Sequence, residues 1–391
     1  MQAQRLDTVS DVMGMARAKR LRTTLVGLVL AFTAVNAAAS APSIRINVDS
    51  SLADYLLDTV CSGNEVDAAY LRSSPLVQAQ IKHHTSLSPT RNFEALRAGL
   101  EAAARCEIPE NDVYRFGPIV ENKARFQATV AFLKERAPQI EAFVTASLQP
   151  FTPPDLQYSG SIVLSVIGNP CGGFAADGYF YLALNCLTAG HEDEYSAIQV
   201  VSAHETFHAL QHAFFWGAGA ELERIDSREA AIEQLFRWLM REGTAEYVAD
   251  SRQIKGSGAL TGFLTGFSRN GYAQIPLYLD FLGYAAEILS AGEDYAARLE
   301  NVYKLGFSGA GRQVFYYVGA AMAAHLDRVH GREALICIFR LPPEQFVRAY
   351  HAAALESPDG EARPLGTTVT AAADRISRTR DTALRFERCI E

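Results

Sequence analysis

The chain has 391 residues, 49% hydrophobic and 20% charged, with 36 basic against 44 acidic side chains and a formal charge of −8. This composition excludes a disordered chain, which needs low apolar content, and argues against nucleic-acid binding, which needs a basic surplus. The length suits two domains, or one large domain with an extension, and buries a core that does not depend on disulfides.

The first predicted element is a leader. The basic cluster Arg17, Lys19, Arg20 and Arg22 precedes an apolar run from Leu25 to Ala39, and then Ser40 and Ala41. This is the layout of a secretory signal peptide over residues 1–41, cut between Ala37 and Ala41. The run is shorter than the roughly 20 residues of a bilayer span, so an uncleaved anchor is the lesser reading. Met13 or Met15 is an alternative start. Five basic and two acidic residues lie in the first 40, so the remainder carries −11. An acidic exported chain, periplasmic or extracellular, is expected to bind no nucleic acid and to make no stable membrane insertion after cleavage. Its six cysteines predict disulfides, paired by closeness along the chain: Cys61 with Cys106, Cys171 with Cys186, and Cys337 with Cys389.

Residues 42–150 read as a mainly helical region. Ile44 to Val48 alternates like a strand, Ser51 to Cys61 and Asn92 to Cys106 read as amphipathic helices, and a long helix over about 120–148 is interrupted at Pro138. Pro150, Pro153 and Pro154 mark a boundary. In residues 151–391, strands are expected at Ser161 to Ile167 and Tyr179 to Asn185, separated by turn-rich sequence. Helices follow over about 193–214, 227–250, 274–303, 314–330 and 332–352. Gly256, Gly258, Gly262, Gly266 and Gly271 make the stretch before the third of these read as a mobile loop. The fold class is α+β, mostly helical, with a small sheet and flanking helices.

The chemistry concentrates in AHETFHALQH, where His204, Glu205 and His208 form H-E-x-x-H. Residues four apart share a helix face, so two imidazoles can hold one zinc ion with Glu205 beside its water. Val200, Ala203, Phe207, Leu210 and Phe214 supply the apolar stripe of that helix. A third ligand from H-E-x-x-H-x-x-G-x-x-H is excluded, because Gln211 and Phe214 stand at the required glycine and histidine. His212 lies two turns beyond His204 and reads as a surface or supporting residue. The remaining source is a carboxylate on another helix. Glu242 fits, in a helix opened by Asp226 and Glu229 and buried through Ile232, Leu235, Phe236 and Leu239. Gly243 costs that helix roughly 1 kcal/mol relative to Ala, which is explained if two helices approach closely. Glu246, one turn on, suits a carboxylate accepting the free N–H of a ligand imidazole. Sequence around Ser257 lacks G-x-S-x-G, and Gly306, Gly309 and Gly311 lack the Lys-Ser/Thr of a P-loop.

HETFH together with REGTAEY resembles the gluzincin metallopeptidases, whose zinc is held by two histidines and a glutamate. The resemblance implies a zincin-like catalytic core, one zinc per chain on His204, His208 and Glu242, and Glu205 as general base. Tyr316, Gly319, Leu326, Gly331 and Leu335 are similar to the Y-x-x-G…L…G…F/L segment of aminopeptidase-N-like gluzincins, whose tyrosine stabilises the oxyanion. Tyr316 takes that role, with Tyr317 as the fallback candidate; Tyr316 also fits an ordinary core stripe with Gly319, Met322, Leu326 and Val329. The family's Gly-Ala-Met-Glu-Asn motif is absent before His204, so exopeptidase activity is not implied, and residues 1–150 carry no resemblance. The expected activity is hydrolysis of peptide or protein substrates by a zinc-activated water. Tyr179 to Asn185 is a candidate edge strand for an extended peptide. The alternative is a non-catalytic secreted zincin-fold binding protein.

Overall fold

The computed structural model describes residues 43–168, 172–187, 191–217, 225–309, 312–357 and 362–390. The predicted leader and Cys171, with its expected pairing, lie outside them. Four strands form the sheet: β1 (Ser43–Asp49), β2 (Gln157–Ser165), β3 (Gly173–Ala176) and β4 (Tyr179–Ala183), in the order β1-β2-β4-β3. β1 runs parallel to β2 and β2 to β4, whereas β3 is antiparallel to β4. A parallel pair needs a crossover connection. Between β1 and β2 this is six helices: α1 (Ser51–Thr59), α2 (Ala68–Ser73), α3 (Pro75–Leu87), α4 (Phe93–Ala104), α5 (Gly117–Glu135) and α6 (Ala137–Leu148). Side chains of Asp67, Ser74 and Asn92 cap α2, α3 and α4. The Cys61–Cys106 disulfide joins the ends of α1 and α4.

The expected edge strand is corrected here. β4 is bonded on both sides, to β2 and to β3, and among the described residues the edge strands are β1 and β3, of which the periodicity reading missed β3. The cause is the two-residue turn Asp177-Gly178, whose φ of 48° and 84° match the right-handed twist of a tight hairpin and fold β3 back on β4.

The rest of the chain is helical: α7 (His191–Phe214), α8 (Arg228–Val248), α9 (Ala259–Ala273), α10 (Ile275–Ser290), α11 (Tyr295–Gly306), α12 (Val314–His330), α13 (Arg332–Phe339), α14 (Pro343–Glu356), α15 (Thr367–Arg378) and the short α16 (Glu387–Ile390). The Cys337–Cys389 disulfide ties α16 to α13. One hydrophobic core runs from β1 through the sheet to α15 and beyond to Phe386. No helix among the described residues is long and apolar enough to cross a membrane.

Three expectations change. The helix expected over 274–303 is two, parted where Gly292 adopts φ +84°. That over 332–352 is also two, because Pro342 and Pro343 cannot continue α13 but open α14. The glycine-dense stretch is not a loop from Ala259 onward; it is α9. Its first amides are satisfied by the fully buried carboxylate of Glu194 on α7, which accepts from Leu260 N (3.0 Å), Thr261 N (2.8 Å) and the Thr261 hydroxyl (2.9 Å). A Cβ at Gly258 would overlap that carboxylate, and one at Gly271 would overlap the Tyr317 ring. These two glycines therefore serve close packing, and the buried cap offsets part of their conformational cost.

Candidate metal centre

The apolar stripe of α7 turns Val200, Ala203, Phe207 and Leu210 into the core, which leaves His204 and His208 on the adjoining face, one turn apart. α8 is capped by Ser227, whose side chain accepts from Ala230 N at 3.2 Å, rather than by Asp226. Its broad buried face carries Glu242 toward α7. Nε2 of His208 lies 3.2 Å from Nε2 of His204 and 3.0 Å from Oε2 of Glu242, and the remaining side of the triangle is 3.8 Å. Ligands about 2.0–2.1 Å from a tetrahedral zinc stand about 3.3 Å apart. The three atoms thus fit one such ion, and among the described residues these are the group of His, Cys, Asp and Glu side chains close enough to do so.

α12 completes the surround by crossing α8 at two glycines. A Cβ at Gly243 would overlap Gly319, and one at Gly319 would overlap the Leu239 carbonyl and lie 2.7 Å from Gly243 Cα. The close approach expected from Gly243 is real, and its partner is α12. The crossing brings Tyr316, in the first turn of α12, against the triad: its ring is stacked parallel to that of His204 at 5.8 Å, and its phenol feels the Glu242 charge. Tyr317 packs against Tyr272 and Gly271 and lines the same cleft as Tyr316. Gly331 turns the chain at the end of α12 with φ +83°, and Leu326 and Leu335 are fully buried.

His204, Glu205, Glu246 and Tyr316 all line one cleft of about 720 Å³. Its other walls are mainly apolar, including Val200, Val201, Leu260, Phe263 and Leu264, with Gly172 and Gly173 from the start of β3. The electrostatics favour a cation. Burial works against charge on His204, but the Glu242 hydrogen bond and the Glu205, Glu242 and Glu246 charges outweigh it and raise its pKa. Burial would raise the Glu242 carboxyl, yet the His208 charge and the imidazole hydrogen bonds hold it well below the usual carboxylate range.

The model of a family described as "Putative zinc dependent peptidase (DUF5700)" matches residues 70–359. The chain belongs to this family. No curated protein and no solved structure matches it. Membership of the DUF5700 family implies zinc dependence and peptide or protein substrates, and the His-His-Glu donor set fits that metal.

A residue that sequence reading missed fixes the DUF5700 site further. Gln211 is buried, and its amide nitrogen donates to the Arg241 carbonyl (2.8 Å) and to the Thr244 hydroxyl (3.0 Å). This leaves its Oε1 to accept from Nδ1–H of His208 at 2.9 Å. Nδ1 of His208 therefore carries a proton, and in the neutral ring this leaves Nε2 free to hold a metal. The available signal was the position of Gln211, one turn after His208 on the same face. We expect Gln211→Leu to weaken zinc binding about 10–100-fold, measured by competition with a chelating dye; unchanged affinity would make Gln211 a packing residue only.

Glu246 stands differently from its expected place. Its Oε1 accepts from the backbone N–H of Ser251 (3.3 Å), the Ser251 hydroxyl and the Tyr272 hydroxyl (3.2 Å), and no imidazole of the described residues donates to it. Burial raises its pKa to about 7, against the pull of His204. His212 is exposed near the far end of α7.

Proposed function

We propose that this chain is an exported zinc metallopeptidase with a gluzincin-type, zincin-like core, in which His204, His208 and Glu242 hold one zinc ion and Glu205 is the general base. The observation that carries this reading is the convergence of three donor atoms from two helices, with Glu205 and Tyr316 on the cleft that His204 also lines. A bound zinc supplies a water of lowered pKa and a Lewis acid for the peptide carbonyl. Glu205 takes the proton of the attacking water and passes it to the leaving amine. Burial, and then the charges of Glu242 and Glu205, push the Tyr316 phenol well above its ordinary value, so it remains a donor suited to the developing oxyanion.

An extended substrate adds to the free edge of β3, whose first residue lines the cleft, and sets an apolar side chain among Val201, Leu260 and Phe263. The two disulfides support export, since such bonds persist in oxidising compartments. The His208–Gln211 bond has no evident use in a binding protein without a metal.

The deciding experiment measures metal per chain by elemental mass spectrometry after purification without chelators, and cleavage of a peptide mixture by the same sample. About one zinc with cleavage is expected, and Glu242→Ala should lose both. Absence of metal after zinc reconstitution would leave a non-catalytic secreted protein as the account. Tyr316→Phe should lower turnover by about 10²-fold at unchanged zinc content; wild-type turnover would return Tyr316 to a packing role.

A further inference from the structure

A second cavity, of about 440 Å³, borders the triad on its Glu242 side. Its walls are Trp238, Arg241 and Glu242 from α8, Leu299, Glu300 and Tyr303 from α11, with Ala296 and Ile225. Arg241 is the distinctive group. Arg237, one turn earlier, uses its terminal nitrogens: it donates to the Trp216 and Gly217 carbonyls and pairs with Glu233. The Arg241 guanidinium makes no hydrogen bond to a described residue, its Nε is buried, and among the described residues the acid paired with it is Glu242, with Oε1 at 3.7 Å. The Arg241 side chain is 37% exposed, so its terminal N–H groups are open to the cavity and to a ligand there.

Charge balance indicates what that is. Two neutral imidazoles, one carboxylate and a divalent ion would leave the triad at +1, which the neighbouring Glu205 offsets, and Arg241 then leaves the Glu242 side net positive. The acid on the facing wall, Glu300, is already paired with Lys304 at 2.5 Å. The cavity therefore favours an anion, and a planar fork of N–H donors suits a carboxylate.

We propose that Arg241 is a specificity-determining residue that binds a substrate carboxylate in this second cavity, either an acidic side chain or the terminal carboxylate of the chain. This rests on the zinc peptidase reading and extends it: one residue of the substrate fills the apolar cleft, and another, on the Glu242 side, carries the negative charge.

The test uses zinc-loaded protein and two small probes, succinic acid monohydroxamate and its primary amide, which share the zinc-binding head and differ only in the carboxylate. In calorimetric titration the wild type should bind the carboxylate probe at least about tenfold more tightly. Arg241→Gln should bring the ratio near one, and Arg241→Glu should invert it. Equal affinities in a zinc-containing wild type, or a ratio unchanged in both variants, would overturn the Arg241 assignment alone. A chain that retains no zinc and binds neither probe would overturn the zinc reading and this assignment with it. Cleavage mapping on peptides with free or amidated C-termini separates the two sources. Acidic residues enriched near the cut in amidated peptides identify the side chain; loss of cleavage on amidation identifies the terminus; dependence on neither overturns the proposal.

Discussion

Glu205→Gln should keep about one zinc per chain and lose peptide hydrolysis by about 10²–10⁴-fold. The substitution is isosteric, so the side chain still fits the cleft between His204 and Tyr316, and the three donor atoms are untouched. The loss is confined to the carboxylate that accepts a proton from water, which an amide cannot replace. Zinc by elemental mass spectrometry and initial rates on a fluorogenic peptide, measured on one preparation, separate the two effects. Retention of activity within a few-fold of wild type would remove Glu205 as the base. Loss of zinc would instead show that Glu205 supports the ion electrostatically, consistent with its effect on the His204 pKa.

The second large effect is structural. Gly319→Ala should destabilise the fold by about 2–3 kcal/mol, despite Ala being the better helix former by about 1 kcal/mol. The new methyl would meet backbone, the Leu239 carbonyl and Gly243 Cα, and neither can rotate aside as a flexible side chain can. α8 and α12 would have to part, and the contact between Tyr316 and Glu242 depends on their spacing. Urea unfolding measures the cost. Gly262→Ala and Gly266→Ala are the controls: both positions on α9 face open space, so those changes should stabilise by roughly 0.5–1 kcal/mol. A Gly319→Ala protein as stable as wild type would mean that the helices can separate at no cost.

Much of the candidate site was legible because its residues are tied to helical periodicity. His204 and His208 share a face by spacing alone, and Gly243 in an otherwise good helix announced a close crossing. The identity of the partner at that crossing was not legible, since Gly319 lies 76 positions later along the chain. Glu246 shows the limit of spacing arguments. One turn beyond Glu242 is the right place to support an imidazole, yet the chain after α8 turns back and offers Ser251 and Tyr272 as nearer donors.

The glycines of α9 were misread for a related reason. Glycine count measures the entropic cost of ordering a segment but not the contacts that offset it, and here the offset is a buried carboxylate 66 residues away from Leu260. The edge strand failed similarly. Hydrophobic alternation identified β4 as a strand but carried no information on which strand lies outside it.

The sequence by itself determined the mostly helical α+β class, the shared face of His204 and His208, and two cysteine pairs, because each follows from local period or from proximity along the chain. Only the tertiary structure decided that Gln211 accepts from His208, that β3 rather than β4 lies at the sheet edge, that Gly319 meets Gly243, and that Arg241 lines a cavity beside Glu242. Those facts depend on contacts between segments far apart in sequence, and packing in three dimensions, rather than any local pattern, selects which of many compatible side chains meet.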